Sequence, residues 1–277
     1  MAEKIFKKRI FIATLEDSLY IPRYLEPVIR EFKEDIAGIS IFSPFGEKTV
    51  SKGISQKKWA LITTRLKYYG IKDFLKFFFR ILSFKIIDMF CPLLLKKRKR
   101  FFSVKTLAGL YNLNVVPSPT NNINDPDYLK RLRELDIDVT ICLIPQIAKE
   151  EFLGSSKIGC LNTHCSLLPK NRGREPLFWA IVRKEPVAGV SIHFMEKGLD
   201  SGPILKQVSV KIGPKDTLHN LYQKAITKGS EMMIEVLKEL KISAFDLIAN
   251  DDSKATYNNW PEKEDVEKFR KLGRRFF

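Results

Sequence analysis

Short unbroken apolar runs alternate along this chain with longer stretches in which apolar residues return every three or four positions. The first period predicts buried strands and the second predicts helices with one buried face. Residues 10–13, Ile-Phe-Ile-Ala, read as a strand, residues 24–32 as a helix with Pro22 near its start, and residues 36–42 as a second strand. This is a βαβ opening of the Rossmann kind. After a basic segment the alternation resumes. Residues 103–108 start a helix, 113–116 form a strand, 117–124 a loop, 127–135 a helix and 139–144 an apolar strand. A strand at 158–161 follows, then a helix with exposed polar start and buried aromatics at 174–181, Trp179 among them, and a strand at 187–195. Residues 216–240 form a long amphipathic helix, and Trp260 to Asp265 reads as a helix cap. The pattern predicts an α/β chain with a mostly parallel sheet and flanking helices.

Polar positions inside this pattern mark the chemistry. Asn162, His164 and Ser166 follow an apolar run on alternate positions, so in an extended chain their side chains share one face. Leu168-Pro169 and Arg172-Gly173 then turn the chain. The strand at 187–195 runs into the tight loop Gly198-Leu199-Asp200-Ser201-Gly202-Pro203. An amide N–H stabilises negative charge growing on a carbonyl oxygen, imidazole manages protons near neutral pH, and a carboxylate orients the imidazole or accepts an amine proton. Together they suit acyl transfer to an amine without a covalent enzyme intermediate. Asn, His and Asp on loops also serve as plain turn formers and caps, and these residues by themselves leave both readings open. Cys165, beside His164, points to the other side of an extended chain and is read as a bystander. His193 is read as structural, and His219 has no obvious partner in the sequence.

Asn162-x-His164-x-Ser166-Leu167-Leu168-Pro169, then Arg172-Gly173, then Gly198-x-Asp200-x-Gly202 after a strand resembles the folate-dependent formyltransferase family. The resemblance runs from about Ser103 to Tyr257 and is weaker before that. It implies a Rossmann-like formyltransferase fold, with Asn162, His164 and Asp200 catalytic and 10-formyltetrahydrofolate as formyl donor. It implies a folate side at Leu143, Ile144, Gln146, Ile147 and Gly198, an acceptor side at Ser166, Arg172 and Gly173, and no metal. The family includes methionyl-tRNA formyltransferases, glycinamide ribonucleotide formyltransferases and sugar N-formyltransferases. The turn after the first strand, Thr14-Leu15-Glu16-Asp17-Ser18, holds no glycine. That departs from the Gly-rich phosphate loop of the glycinamide ribonucleotide enzymes. About twenty residues follow Tyr257, where the tRNA enzymes carry a β-barrel domain. The expected acceptor is therefore a small primary amine, foremost an amino sugar, free or linked to a nucleotide or lipid. Two alternatives are methionyl-tRNA formyltransferase-like activity without that C-terminal domain, and a catalytically silent membrane- or RNA-associated binding protein.

The formal net charge of +16 belongs mostly to one segment. Residues 51–105 hold fifteen Lys and Arg against Asp73 and Asp88, which is +13. The catalytic domain is therefore read as residues 1–257 with a basic, aromatic-rich insertion at about 51–103, and residues 258–277 as a short basic tail. Within the insertion Phe74, Phe77, Phe78, Ile81 and Leu82 follow a helical stripe, with Asp73, Lys76, Arg80 and Ser83 largely on the other face. Charges interrupt it too often for a transmembrane helix. Residues 67–102, ending in the basic run 96–100, suit packing on the core, contact with an anionic membrane surface or, less well, a nucleic acid. Four cysteines without metal-ligand spacing, and an N-terminus without a signal-peptide core, fit a reducing cytoplasm and, for the basic segment, the inner face of its membrane.

Overall fold

The computed structural model describes residues 9–43, 53–90, 94, 97, 100–240 and 246–277. The N-terminal stretch read for a signal peptide, Cys91, and Lys96, Arg98 and Lys99 of the basic run lie outside them. Six strands form the main sheet: β1 (Ile10–Leu15), β2 (Ile36–Phe42), β3 (Val139–Leu143), β4 (Gly159–His164), β6 (Val187–Phe194) and β7 (Ile204–Lys211). Their order is β2-β1-β3-β4-β6-β7, with β2 through β4 parallel and β6 and β7 antiparallel to their neighbours. A second, two-stranded sheet pairs β5 (Arg172–Gly173) with β8 (Tyr257–Asn258). The helices up to β3 are α1 (Ile21–Phe32), α2 (Gly53–Phe90), α3 (Val104–Leu110) and α4 (Pro126–Glu134). Those after it are α5 (Glu150–Leu153), α6 (Pro176–Val182), α7 (Leu218–Leu240) and α8 (Lys263–Lys271).

The unbroken apolar character of β1 follows from its place. Ile10 and Ile12 join a core beneath α1, α3, α6 and α7, while Phe11 and Ala13 join a second core with Tyr128 and Leu129 of α4 and Phe152 of α5. A parallel strand covered on both faces has no side left for water, so the period of two disappears from its sequence. Helix boundaries follow local chemistry. Ser103 accepts the Thr106 N–H at 3.3 Å, Asp125 accepts that of Tyr128 at 2.9 Å, and Glu262 with Asp265 forms a capping box.

Three expectations need correction, and one strand went unread. Residues 113–116 form no full strand: Val115 makes a single parallel bridge to Ile39, and Pro117, with no N–H to give, ends the approach. β7 was not legible as a strand, because at the sheet edge it mixes Lys206, Gln207, Ser209 and Lys211 with its apolar residues. The apolar stripe of the insertion divides between two faces. Phe77 is buried and Ile81 half-buried, whereas Phe78 and Leu82 are exposed. Finally, the residues read as a basic tail are part of the core. Phe269 of α8 stacks on Phe178 with ring centroids 5.1 Å apart, and Phe276 is 1% exposed. Basic side chains on α8 face solvent while Val266 and Phe269 carry its packing, so composition concealed the fold of this segment.

α2 bends at Gly70, whose φ of +71° is open to glycine without strain. Arg270 of α8 donates to the Tyr69 carbonyl at 2.7 Å at this bend. The C-terminal helix and the insertion thus hold each other in place.

Candidate active site

β4 delivers two polar side chains at its carboxyl end, and the antiparallel pairing with β6 sets what faces them. Asn162 lies directly opposite His193, and His164 opposite Ser191. β6 then leads into the loop that carries Asp200, which returns over the end of β4. Asp200 has φ +50°, a left-handed conformation that Asp tolerates better than most residues. Asn250 fixes the loop by donating to the Asp200 carbonyl at 2.8 Å and to that of Gly202 at 2.9 Å.

The Asp200 carboxylate is the centre of the cluster. Its Oδ2 accepts the Gly173 N–H at 2.8 Å and stands 3.5 Å from His164 Nδ1. Its Oδ1 lies 3.5 Å from Asn162 Nδ2 and 3.8 Å from His193 Nε2. His164 Nε2 lies 2.8 Å from the Asn171 carbonyl oxygen, so that nitrogen carries a proton and donates it there. The basic atom of a neutral His164 is then Nδ1, which faces Asp200. The trio named from the sequence is therefore brought together.

His193 completes the ring, and sequence reasoning assigned it to structure alone. Its Nδ1 donates to the Phe194 carbonyl at 2.7 Å, and burial pushes its imidazolium down to about 4, which leaves a neutral ring beside Asp200. The signal was present as a polar position on β6, but its partner was set by strand register. His219, in contrast, has partners remote from this cluster: Tyr20 Oη at 2.9 Å and Gln223 Nε2 at 3.0 Å.

The acceptor-side candidates divide. Ser166 lies past the end of β4, so it leaves the alternation; its hydroxyl donates to the Lys170 carbonyl at 2.7 Å and braces the turn. Gly173 reaches the site through its N–H. At φ +88° a Cβ here would strike the Asn258 carbonyl, so only glycine allows β5 this close to β8. Arg172 is fully buried, and its guanidinium holds Asp252 at 2.6 Å, the Tyr257 hydroxyl at 2.7 Å and Asn250 Oδ1 at 2.7 Å. A buried cation spent this way anchors the segment that carries Asn250. Arg172→Ala is expected to lower unfolding stability by about 2 kcal/mol, because the Asn250 carbonyl and Oδ1 lose a charged donor, while Asp252, already exposed, is left in water. The urea midpoint measures it; a midpoint within error of the parent would contradict this role.

On the donor side, Cys142 of β3 pairs with Asn162, and Leu143, the last residue of β3, pairs with Thr14 before the chain leaves the sheet at Ile144. Gln146 accepts the Ile123 N–H at 3.0 Å and donates to the Asn121 carbonyl at 3.0 Å, and Ile147 is exposed. Gly198 sits exposed at the start of the Asp200 loop. The Cys165 thiol is pushed up to about 12 by burial, which disfavours the thiolate that a nucleophile needs. Among the described residues, no group of three or more His, Cys, Asp or Glu is placed to hold a metal ion.

A cleft of about 870 Å³ opens at the carboxyl ends of β1 and β2, beneath α2. Arg65, Tyr68, Tyr69, Lys85, Glu175 and Trp260 line it. Glu175, which sequence reasoning treated only as a helix start, lines this cleft and follows Gly173 by two residues in the chain. It accepts from the Tyr68 hydroxyl at 2.9 Å and that of Tyr222 at 3.3 Å, and burial raises its carboxyl above the usual range. In the turn after β1, Asp17 Oδ2 accepts the N–H groups of Leu19, Tyr20 and Ile21 at 3.0, 2.5 and 2.9 Å. The N–H of Ile21, the first residue of α1, and the two N–H groups before it are thus taken up by a side chain of this chain.

Comparison with known proteins places this geometry. The family model described as formyl transferase matches residues 96–237. Methionyl-tRNA formyltransferase of Caldanaerobacter subterraneus is 37% identical over 158 residues, covering 57% of this chain and 51% of its own. The chain spans about half the length of the curated relatives it matches. Phosphoribosylglycinamide formyltransferase of Anaplasma phagocytophilum superposes with a TM-score of 0.57 at 15% identity, over 91% of this chain and 99% of that one. An N-formyltransferase of Helicobacter canadensis, solved with folinic acid and dTDP-3-aminofucose, gives 0.55 at 15% identity, over 93% of this chain and 72% of that one. At these identities the two structures establish a shared fold.

Proposed function

Because the chain belongs to the formyl transferase family, we propose that it moves the formyl group of 10-formyltetrahydrofolate to the primary amine of a small acceptor, an amino sugar in the first place. The observation that carries this reading is Asp200 standing between Asn162, His164 and the Gly173 N–H, at the carboxyl end of β4. The amine nitrogen attacks the formyl carbon, and the carbonyl oxygen gains negative charge that the Asn162 amide stabilises. His164 supports that charge once its Nδ1 has taken a proton, since its Nε2–H is committed to the Asn171 carbonyl. The proton lost by the amine passes through water to Asp200 and His164 Nδ1. The bond from the formyl carbon to N10 then breaks, and N10 regains a proton, leaving tetrahydrofolate and the formamide. Leu143, Ile144, Gln146, Ile147 and Gly198 flank the folate. No step calls for a metal.

The cleft supports a sugar with an anionic attachment. Tyr68, Tyr69 and Trp260 offer flat apolar faces, Arg65 and Lys85 offer positive charge, and Glu175 accepts hydrogen bonds from hydroxyls or the amine. Glu175→Gln is expected to raise KM for the acceptor about tenfold with kcat little changed, because a hydrogen bond to a charged group is worth about 1.5–3 kcal/mol. An unchanged KM would remove Glu175 from acceptor binding.

The deciding experiment incubates the enzyme with 10-formyltetrahydrofolate and a panel of amines: nucleotide-linked and lipid-linked amino sugars, free amino sugars and methionyl-tRNA. Mass spectrometry follows the formylated product and absorbance the tetrahydrofolate. A formylated amino sugar is the expected result. Product with methionyl-tRNA alone would move the acceptor to tRNA, and no turnover with any amine, in cell extract as well, would favour a silent binding protein.

A further inference from the structure

Beyond its bend at Gly70, α2 carries two apolar stripes on different sides. Phe77, Ile81, Phe84 and Asp88 turn inward: Phe77 and Ile81 line the cleft, and Phe84 stacks on Phe102 with centroids 4.1 Å apart. Ile71, Leu75, Phe78, Leu82, Ile86 and Met89 recur at steps of three or four along the outer side, and all are exposed, Ile71 by 70% and Met89 by 65%. Phe79 and Phe90, beside them, are 60% and 71% exposed. The outer side is therefore one continuous apolar stripe over five turns of helix. A soluble monomer rarely leaves so long a patch to water. By helical position Lys72 and then Lys76 lie to one side of this stripe, whereas Arg80 turns away from it and sits over the Phe277 ring at 5.7 Å, and Lys85 lines the cleft.

We propose that the outer face of α2 is a docking surface for an anionic lipid bilayer, with the helix lying in the plane of the interface. Among the described residues no helix is long and apolar enough to cross a membrane, so an embedded stripe must lie along the surface. Apolar side chains enter the acyl boundary, while Lys72 and Lys76 reach back to headgroup phosphates on their long stems. The +13 of residues 51–105 supplies charge complementarity to an anionic surface. The same charge counts against a second copy of this chain, since a two-fold contact would bring the two basic segments together. Nucleic acid would use the cations and the aromatic rings but gains nothing from Ile71, Leu75, Leu82 and Ile86. The cleft would lie one helix diameter, about 10 Å, from the lipid surface. This inference stands whether or not the chain transfers formyl groups.

The test is co-sedimentation of the full chain with phosphatidylglycerol vesicles and with phosphatidylcholine vesicles, at low and high salt. Wild-type protein should pellet with the anionic vesicles at low salt and bind about tenfold more weakly at high salt. Phe78→Glu with Leu82→Glu should weaken that binding about a hundredfold, since two large apolar groups no longer leave water. Circular dichroism checks folding, and Ile71→Ser with Leu75→Ser serves should the first variant unfold. Three results would overturn the proposal: no pelleting with phosphatidylglycerol, equal pelleting of the variants, or vesicle-free dimers or RNA complexes that the same substitutions abolish while vesicle binding is absent.

Discussion

Asn162→Ala is expected to lower turnover by about two to three orders of magnitude, with the Kd for the formyl donor changed by less than about twofold. The substitution removes the side-chain N–H donor at the carboxyl end of β4, where the formyl oxygen is proposed to lie. That oxygen is a weak acceptor in the donor's amide and a full anion in the tetrahedral intermediate, so the loss falls on the transition state. Alanine leaves the β4 backbone pairing to Cys142 and His193 unchanged. Single-turnover formyl transfer, with the chemical step limiting, measures the effect. Near-normal single-turnover rates in Asn162→Ala would take the oxyanion role away from this residue.

His164→Ala and Asp200→Ala should each cost a comparable two to three orders of magnitude, and the double variant little more than the worse single one. The reason is geometric. His164 Nε2 is committed to the Asn171 carbonyl, so His164 exchanges protons only through Nδ1, and that atom faces Asp200 at 3.5 Å. Without Asp200 the imidazole has no carboxylate to hold its protonated form, and without His164 the carboxylate loses its proton partner. Losses that multiplied in the double variant would mean that the two residues act independently. His193 bears on the same experiment. Burial keeps it neutral at working pH, so in His164→Ala it is a poor substitute as proton acceptor despite standing 3.8 Å from Asp200.

Much of this was legible in one dimension because some constraints are local. The apolar runs of β1 and β3 and the Ser103 and Asp125 caps are demands made by each segment on its own residues. The order Asn162, His164, Asp200 could also be read, since β4 and the Asp200 loop each present their side chains through local backbone geometry. The sequence by itself therefore determined an α/β sheet, its family resemblance and three of the residues that meet at one carboxylate.

Tertiary structure decided what depends on register and on packing between distant segments. His193 entered the site because β6 pairs antiparallel with β4 and sets it opposite Asn162, a choice that no spacing within β6 contains. Arg172 turned inward because Asn250, Asp252 and Tyr257 return from some eighty residues away to satisfy its charge. Phe269 and Phe276 became core although their neighbours are basic, because α6 offers Phe178 to stack upon. The two apolar stripes of α2 are alike in composition, and only the fold beneath the helix determined which was buried and which was left facing outward. Side chains obey their own helix or strand in direction, but burial is a property of what lies opposite, and that is supplied by the rest of the chain.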